Sequence, residues 1–118
     1  MGEVYVPVEI ANMLTGARSR RIRMLADTGA TLSIIPGPIL ERLGIETTGS
    51  VRFMLADGRR TTRRTGHAII TINGDSAPCR VVFGRAGDTA LIGVTLLEQL
   101  GLGVDPVRRR LVPAPIRL

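Results

Sequence analysis

The residues best suited to do chemistry in this chain are Asp27-Thr28-Gly29-Ala30. They form a short polar interruption between two apolar runs, Met24-Leu25-Ala26 before and Leu32-Ser33-Ile34-Ile35 after. Buried strands on both sides would hold the loop's carboxylate at a protected surface, where it can take or give a proton. Asp-Thr-Gly is also ordinary turn chemistry. It arises by chance in roughly one chain in fifty of this length, so alone it decides nothing. A second acid, Asp57, stands in Ala56-Asp57-Gly58 and superficially echoes the first. There a turn is a complete explanation, because Asp-Gly between alternating strands is a strong hairpin signal. His67 is the only histidine and Cys79 the only cysteine. A His-based zinc cluster, a cysteine metal site and an intrachain disulfide are therefore not expected, and no cofactor is implied. Both residues read as ordinary strand positions.

The elements that must position these residues read mostly as strands. Val4, Val6, Val8 and Ile10 alternate with Tyr5, Pro7 and Glu9, the period of a half-buried strand. Pro7 points to an edge, since it cannot donate to a ladder. A turn near Thr15-Gly16 and a strand from about Arg18 to Leu25 would complete an N-terminal hairpin. Leu32 to Ile35 is a short buried strand ended by Pro36-Gly37-Pro38, and Ile39 to Leu43 make a helical turn closed by Gly44. Val51 to Ala56 and Arg59 to Ile72 pair across Asp57-Gly58, and Asn73-Gly74 turns the chain into a strand from Pro78 to Gly84. Arg85 to Asp88 is a loop. Ala90-Leu91-Ile92-Gly93 is a short apolar strand. Thr95 to Leu100 is a helix, with Thr95 and Glu98 spaced as a capping box and Gly101 as the stop. Val104-Asp105-Pro106 and Leu111-Val112-Pro113 flank Arg108-Arg109-Arg110 as a final hairpin.

A length of 118 residues suits one small domain, so 1–118 is expected to be a single unit. Hydrophobic residues make up 44% of the chain and aromatics 3%, so the core must be aliphatic. The formal charge is +6 and every basic residue is Arg. That balance invites a nucleic-acid reading. Residues for base stacking are nearly absent, so the arginines are expected on solvent-facing strand positions instead. This includes Arg59-Arg60 and Arg63-Arg64, whose other reading is a preference for acidic substrates or an acidic partner. No apolar run is long enough to span a bilayer, and Met1 to Ile10 lacks the basic region of a signal peptide. No membrane partner is expected, and the location is expected to be cytoplasmic.

Leu25-Ala26-Asp27-Thr28-Gly29-Ala30-Thr31-Leu32-Ser33-Ile34-Ile35 resembles the active-site segment of the retropepsins, the single-domain relatives of pepsin. Leu91-Ile92-Gly93 followed by Val94 to Gly101 resembles their second motif, two apolar residues, a Gly and a helix. The two motifs occur in the family's order, and the resemblance runs from about Val4 to Val112, closest to the small prokaryotic members. There are two departures. The polar Arg-Asn or Arg-Asp pair that follows the second Gly in retroviral enzymes is replaced by Val94-Thr95, which leaves the bracing of the loop open. The Gly-rich flap tip is missing, and Ala56-Asp57-Gly58-Arg59 is the candidate flap instead.

The resemblance implies a mostly β, closed-barrel acid-protease fold with one short C-terminal helix, working as a homodimer. It implies an aspartic endopeptidase acting on peptides or unfolded protein, with Asp27 as the catalytic residue. One chain carries one Asp-Thr-Gly, so the second carboxylate must come from another copy. Two carboxylates that close share one proton, which lets one act as base and the other as acid. By the same resemblance Thr28 would bond across the axis, Gly29 would allow close backbone approach, Ala30 would face substrate and Gly93 would pack on the loop. Leu32, Ile34 or Ile92 would supply pocket walls. The tail from Val112 to Leu118 is open to two readings, an end trimmed by the protease itself or part of the dimer interface. The alternative to all of this is a basic β-domain that binds nucleic acid or an acidic protein without catalysis. The intact Asp-Thr-Gly-Ala speaks against it.

Overall fold

The computed structural model describes residues 2–55 and 57–116. In chain order the elements are β1 Tyr5–Ala11, β2 Ile22–Ala26, β3 Ser33–Pro36, α1 Gly37–Arg42, β4 Gly49–Met54 and β5 Arg60–Ile72. They continue with β6 Asp75–Gly84, β7 Leu91–Ile92, α2 Val94–Gln99, β8 Leu102–Asp105 and β9 Arg110–Pro113. The main sheet runs β1-β2-β7-β3-β6-β5-β4, and β1 also pairs with β5. That last pairing joins the two ends, so six strands close into a barrel and β4 hangs outside on β5. Closure removes the exposed edges that an open sheet of this size would leave.

The alternation read in the first strand holds: Val6, Val8 and Ile10 are buried while Tyr5 and Pro7 are exposed. Pro7 lies in the stretch of β1 that pairs with β2 alone, since pairing with β5 begins at Glu9. It therefore sits at a locally open edge, as a residue without an N–H must. The barrel is filled by Ile10, Met24, Ile35, Ile70, Val81 and Ile92, and Leu40, Leu96 and Leu97 of the two helices join the same core. Phe83 is the one aromatic in this cluster, so the core is aliphatic as the composition requires.

One expectation about this frame needs correction. The second strand does not start at Arg18, which makes only an isolated bridge to Ala11. The Ile10 amide donates to Ser19 Oγ at 3.0 Å, so a hydroxyl stands where a ladder carbonyl would be and regular pairing resumes only at Ile22. Asn73-Gly74 behaves as read: both residues have positive φ, and Ile72 and Asp75 pair directly across them. The final hairpin forms as β8 and β9, a separate two-stranded sheet. Ala114 beyond it donates to the Gly101 carbonyl at 2.7 Å, and residues 117–118 of the tail lie outside the described residues.

Candidate active site

Asp27 follows directly on β2, at the point where the ladder gives way to a turn. Its amide donates to the Ile92 carbonyl at 2.9 Å, extending the parallel pairing of Leu25 with Leu91 and Ala26 with Ile92. The turn then folds back on the carboxylate. Gly29 N donates to Asp27 Oδ1 at 2.8 Å, and Ala30 N donates to the Asp27 carbonyl at 3.3 Å. A Cβ at Gly29 would lie 3.2 Å from Oδ1, so the glycine is what lets the backbone come this close. Asp27 is half-buried, while Thr28 and Gly29 are exposed on the single chain and Ala30 is half-covered. One carboxylate oxygen is thus fixed by its own loop, on a loop that faces outward.

The second motif closes on the first from behind. A Cβ at Gly93 would sit 2.6 Å from the carbonyl carbon and oxygen of Leu32 and 2.7 Å from the Thr31 oxygen. The glycine is needed for space and not for its backbone angles, which at φ −85° and ψ 168° suit any residue. Gly93 N donates to the hydroxyl of Ser33 at 3.0 Å, a buried contact between segments 60 residues apart. Ser33 was not singled out from the sequence. A lone hydroxyl inside the apolar run from Leu32 to Ile35 was the available signal. The capping box read at Thr95 and Glu98 does not form. Gly93 is the N-cap, Thr95 lies inside α2, and no side chain caps the helix. The first amides of α2 are met by the Asp27 loop, with Val94 N on the Ala30 carbonyl at 2.7 Å and Thr95 N on the Thr31 carbonyl at 3.2 Å. Those carbonyls satisfy donors that every helix start leaves open.

The candidate flap is the far end of the β4–β5 hairpin. Ala56 lies outside the described residues. Leu55 N donates to the Arg59 carbonyl at 2.7 Å, Gly58 N to the Leu55 carbonyl at 2.9 Å, and Gly58 takes φ +85°. Asp57 serves this turn. Its Oδ1 accepts Arg59 N at 3.0 Å and its Oδ2 pairs with Arg59 Nε at 2.6 Å, with both side chains well exposed. Arg64 keeps the exposed strand face read for it, and Arg63 departs from it. Arg63 points inward with 12% of its side chain exposed and pairs with Asp88, whereas Arg64 pairs with Glu41 and lies over the Phe83 ring at 4.5 Å. Inward placement follows from register, since Val51 faces Arg63 and both fall on the covered side of the hairpin.

Of the suggested pocket walls, Leu32 and Ile34 are half-buried and accessible, but Ile92 is fully buried in the barrel and can line nothing. Cys79 is buried, and burial pushes its thiol up to about 12, which rules it out as a nucleophile near neutral pH. His67 is exposed and its Nδ1 lies 3.2 Å from the Thr48 hydroxyl. Among the described residues no three His, Cys, Asp or Glu side chains gather as a metal would need, and no helix is long and apolar enough to cross a membrane.

Comparison with known proteins bears on this arrangement directly. The model of the family described as "gag-polyprotein putative aspartyl protease" matches residues 16–99, a span that holds both motifs. Among solved structures, Simian Foamy Virus (mac) protease superimposes with a TM-score of 0.58 at 17% identity, covering 81% of this chain and 93% of that one. The foamy viral protease-reverse transcriptase, solved with an RNA/DNA hybrid, matches at 0.60 and 15% identity over 98% of this chain and 13% of its own. A retropepsin-like aspartic protease from Rickettsia conorii aligns at 0.49 and 19% identity, over 87% and 84% of the two chains. No curated protein matches the sequence. At these identities the structural likeness is one of fold.

Proposed function

Because this chain belongs to the gag-polyprotein aspartyl protease family, we propose that Asp27 is its catalytic carboxylate and that two copies of the chain build one active site. The chain is an aspartic-type endopeptidase with a retropepsin-like fold. Proteases of this type are typically homodimers that act on peptides. The observation that carries the assignment to Asp27 is its loop. The carboxylate is held by Gly29 N, the amide by the Ile92 carbonyl, and the loop's tip is exposed on one chain, where a second copy can meet it.

In the dimer the two Asp27 side chains lie on the two-fold axis and share one proton, since like charges that close cannot both ionise. The ionised carboxylate takes a proton from a water held between them. The water oxygen bonds to the scissile carbonyl carbon while the other carboxyl gives its proton to the carbonyl oxygen. Collapse of the tetrahedral diol breaks the C–N bond: the protonated carboxyl gives its proton to the leaving nitrogen, a diol hydroxyl gives its proton to the other carboxylate as the new C=O forms, and the pair again holds a single proton. No covalent enzyme intermediate arises. Thr28 bonds to the opposite loop, Gly29 and Ala30 keep the floor narrow, and Gly93 backs the loop. The turn at residues 57–59 closes over an extended peptide that lies along the floor as an added strand. Residues 1–118 form a single protease domain that contributes half of the active site, and the location is cytoplasmic. A basic domain without catalysis is not favoured, because the chain falls in a peptidase family.

Replacing Asp27 with Asn tests the assignment. Cleavage of an unfolded protein should fall by at least about a hundredfold, the usual reach of lost acid–base chemistry, with the melting temperature little changed. Activity per chain should rise with concentration through a monomer–dimer transition in sedimentation. Full activity of Asp27→Asn, or hydrolysis by a strict monomer, overturns the shared pair.

A further inference from the structure

We propose that Arg63 and Asp88 are positioning residues for peptide hydrolysis: their ion pair sets the angle at which the β4–β5 hairpin leaves the barrel. The inference rests on the reading of that hairpin as the flap.

The hairpin needs such a device because of where its support ends. β6 backs β5 from Ile72 only as far as Thr65, which faces Val82. Beyond Thr65 toward the tip, β5 has β4 alone as a neighbour, from Arg64 with Ser50 out to Arg60 with Met54. A two-stranded ribbon is marginal by itself. Arg63 lies two residues past the last backed position, where a small change of angle is magnified at the tip.

The tether is built for direction. Arg63 Nε donates to Asp88 Oδ2 at 2.8 Å and Nη2 to Oδ1 at 3.0 Å, a two-pronged pair that fixes the plane of both groups. Nη1 is taken by the Thr61 hydroxyl at 2.7 Å, within the same strand. Asp88 Oδ2 also accepts Arg85 N at 2.8 Å, and Arg85 Nη2 reaches back to the Thr62 carbonyl at 3.0 Å. Three hydrogen bonds therefore cross between residues 62–63 of the hairpin and the loop from 85 to 88. Inward placement of an arginine is costly unless it is paired. The sequence tolerates that cost at one position of the hairpin, while Arg52, Arg60 and Arg64 lie exposed on the outer face.

The other end of the tether leads to the catalytic loop. Two residues after Asp88, the Ala90 carbonyl accepts Leu25 N at 3.2 Å, and the Ile92 carbonyl accepts Asp27 N. One short segment thus holds the hairpin with its first half and Asp27 with its second. The charged groups that reach the Asp88 carboxylate are Arg63 and Arg85, while Arg64 and Glu41 pair with each other. Arg63, through its hydrogen bond, holds the Asp88 carboxyl below the usual carboxylate range, with the Arg85 amide adding to the effect and partial burial opposing it. The pair accordingly stays ionised in mildly acidic solution.

A double-mutant cycle on Asp88→Asn and Arg63→Gln tests this, with kcat and KM measured separately on an extended peptide. Each single change should raise KM and lower kcat together, for a loss in kcat/KM of about tenfold to a hundredfold. The double variant should lose no more than the worse single. Amide exchange should quicken at residues 50–55 and 59–64 and stay unchanged at 66–72. Additive losses, kcat/KM within twofold of the parent, or a fall in melting temperature without faster exchange in the hairpin overturn the proposal. Should either single variant fail to fold, Arg63→Lys keeps the charge and loses the two-pronged geometry, and should show the same exchange pattern with a smaller loss. The exchange readout does not depend on Asp27. A failure of the catalytic assignment, seen as full activity in Asp27→Asn, is thereby separated from a failure of the tether.

Discussion

Gly93→Ala offers the sharpest probe of how the two motifs are joined. The backbone angles at Gly93 are extended and would accept alanine without strain, so any effect must come from space. An added Cβ would stand 2.6 Å from the carbonyl carbon and oxygen of Leu32, against an ordinary contact of 3.4 Å or more. The opposing atoms are backbone and cannot swing aside, so the Thr31–Leu32 segment or the start of α2 must retreat by about 0.8 Å. Overpacking of this kind costs about 1–3 kcal/mol, which for a chain of this size lowers Tm by roughly 5–15 °C. The displaced segment begins four residues after Asp27 and carries the Thr31 carbonyl that meets α2. A misplacement near 1 Å can cost about a hundredfold in rate, so kcat/KM should fall further than stability alone explains. The assays are thermal unfolding at fixed protein concentration and steady-state cleavage below the melting range. Gly103→Ala is the milder comparison, because its added methyl comes only about 0.1 Å inside an ordinary contact, at 3.3 Å from the Ala114 side chain. If Gly93→Ala keeps Tm within about 2 °C and kcat/KM within twofold of the parent, the close-approach argument is wrong.

Two more outcomes follow from the same geometry. Ser33→Ala removes the buried acceptor of Gly93 N and should cost about 1–3 kcal/mol, read by denaturant unfolding, while Ser33→Thr keeps the hydroxyl and should recover part of it; equal stability of parent and Ala variant would show that another group takes the amide. Asp88 has a carboxyl lowered in the folded chain, so its stabilisation is fully present above the unfolded value near about 3.9 and is lost as pH falls through the folded value. The gap in Tm between the parent and Asp88→Asn should therefore be widest at neutral pH and narrow on acidification, and a gap that stays constant down to strongly acidic pH would refute the sign.

What could be read from the sequence was what local chemistry specifies. Asn73-Gly74 had to turn because two successive positive φ values suit few other pairs. Pro7 had to find an open edge, and Gly93 had to mark a close approach. What could not be read depended on partners far along the chain. Barrel closure comes from Glu9, Ile10 and Ala11 meeting Thr71, Ile70 and Ile69, which no local pattern announces. Arg63 looked like its neighbours in an Arg-Arg pair, and only register with Val51 and a carboxylate 25 residues on turned it inward. Ile92 was placed at a pocket wall because apolar residues beside an active-site motif suit either wall or core. Its pairing between β2 and β3 decides for the core.

The same distance effect resolves the bracing of the Asp27 loop. Where retroviral relatives carry a polar pair after the second Gly, this chain has Val94-Thr95, and the sequence shows no side chain to take over. The brace is made by backbone instead. Gly93, Val94 and Thr95 present three successive amides, and Ser33 Oγ, the Ala30 carbonyl and the Thr31 carbonyl receive them at 3.0, 2.7 and 3.2 Å. Two of the three acceptors are main-chain groups of the loop that carries Asp27. Hydrogen bonds of this kind depend on the path of the chain and hardly on side-chain identity, so Val94 can be apolar and Thr95 need not cap. The demand for a particular residue moves to the positions that set the path: Gly93, which must lack a side chain, and Ser33, which must keep its hydroxyl.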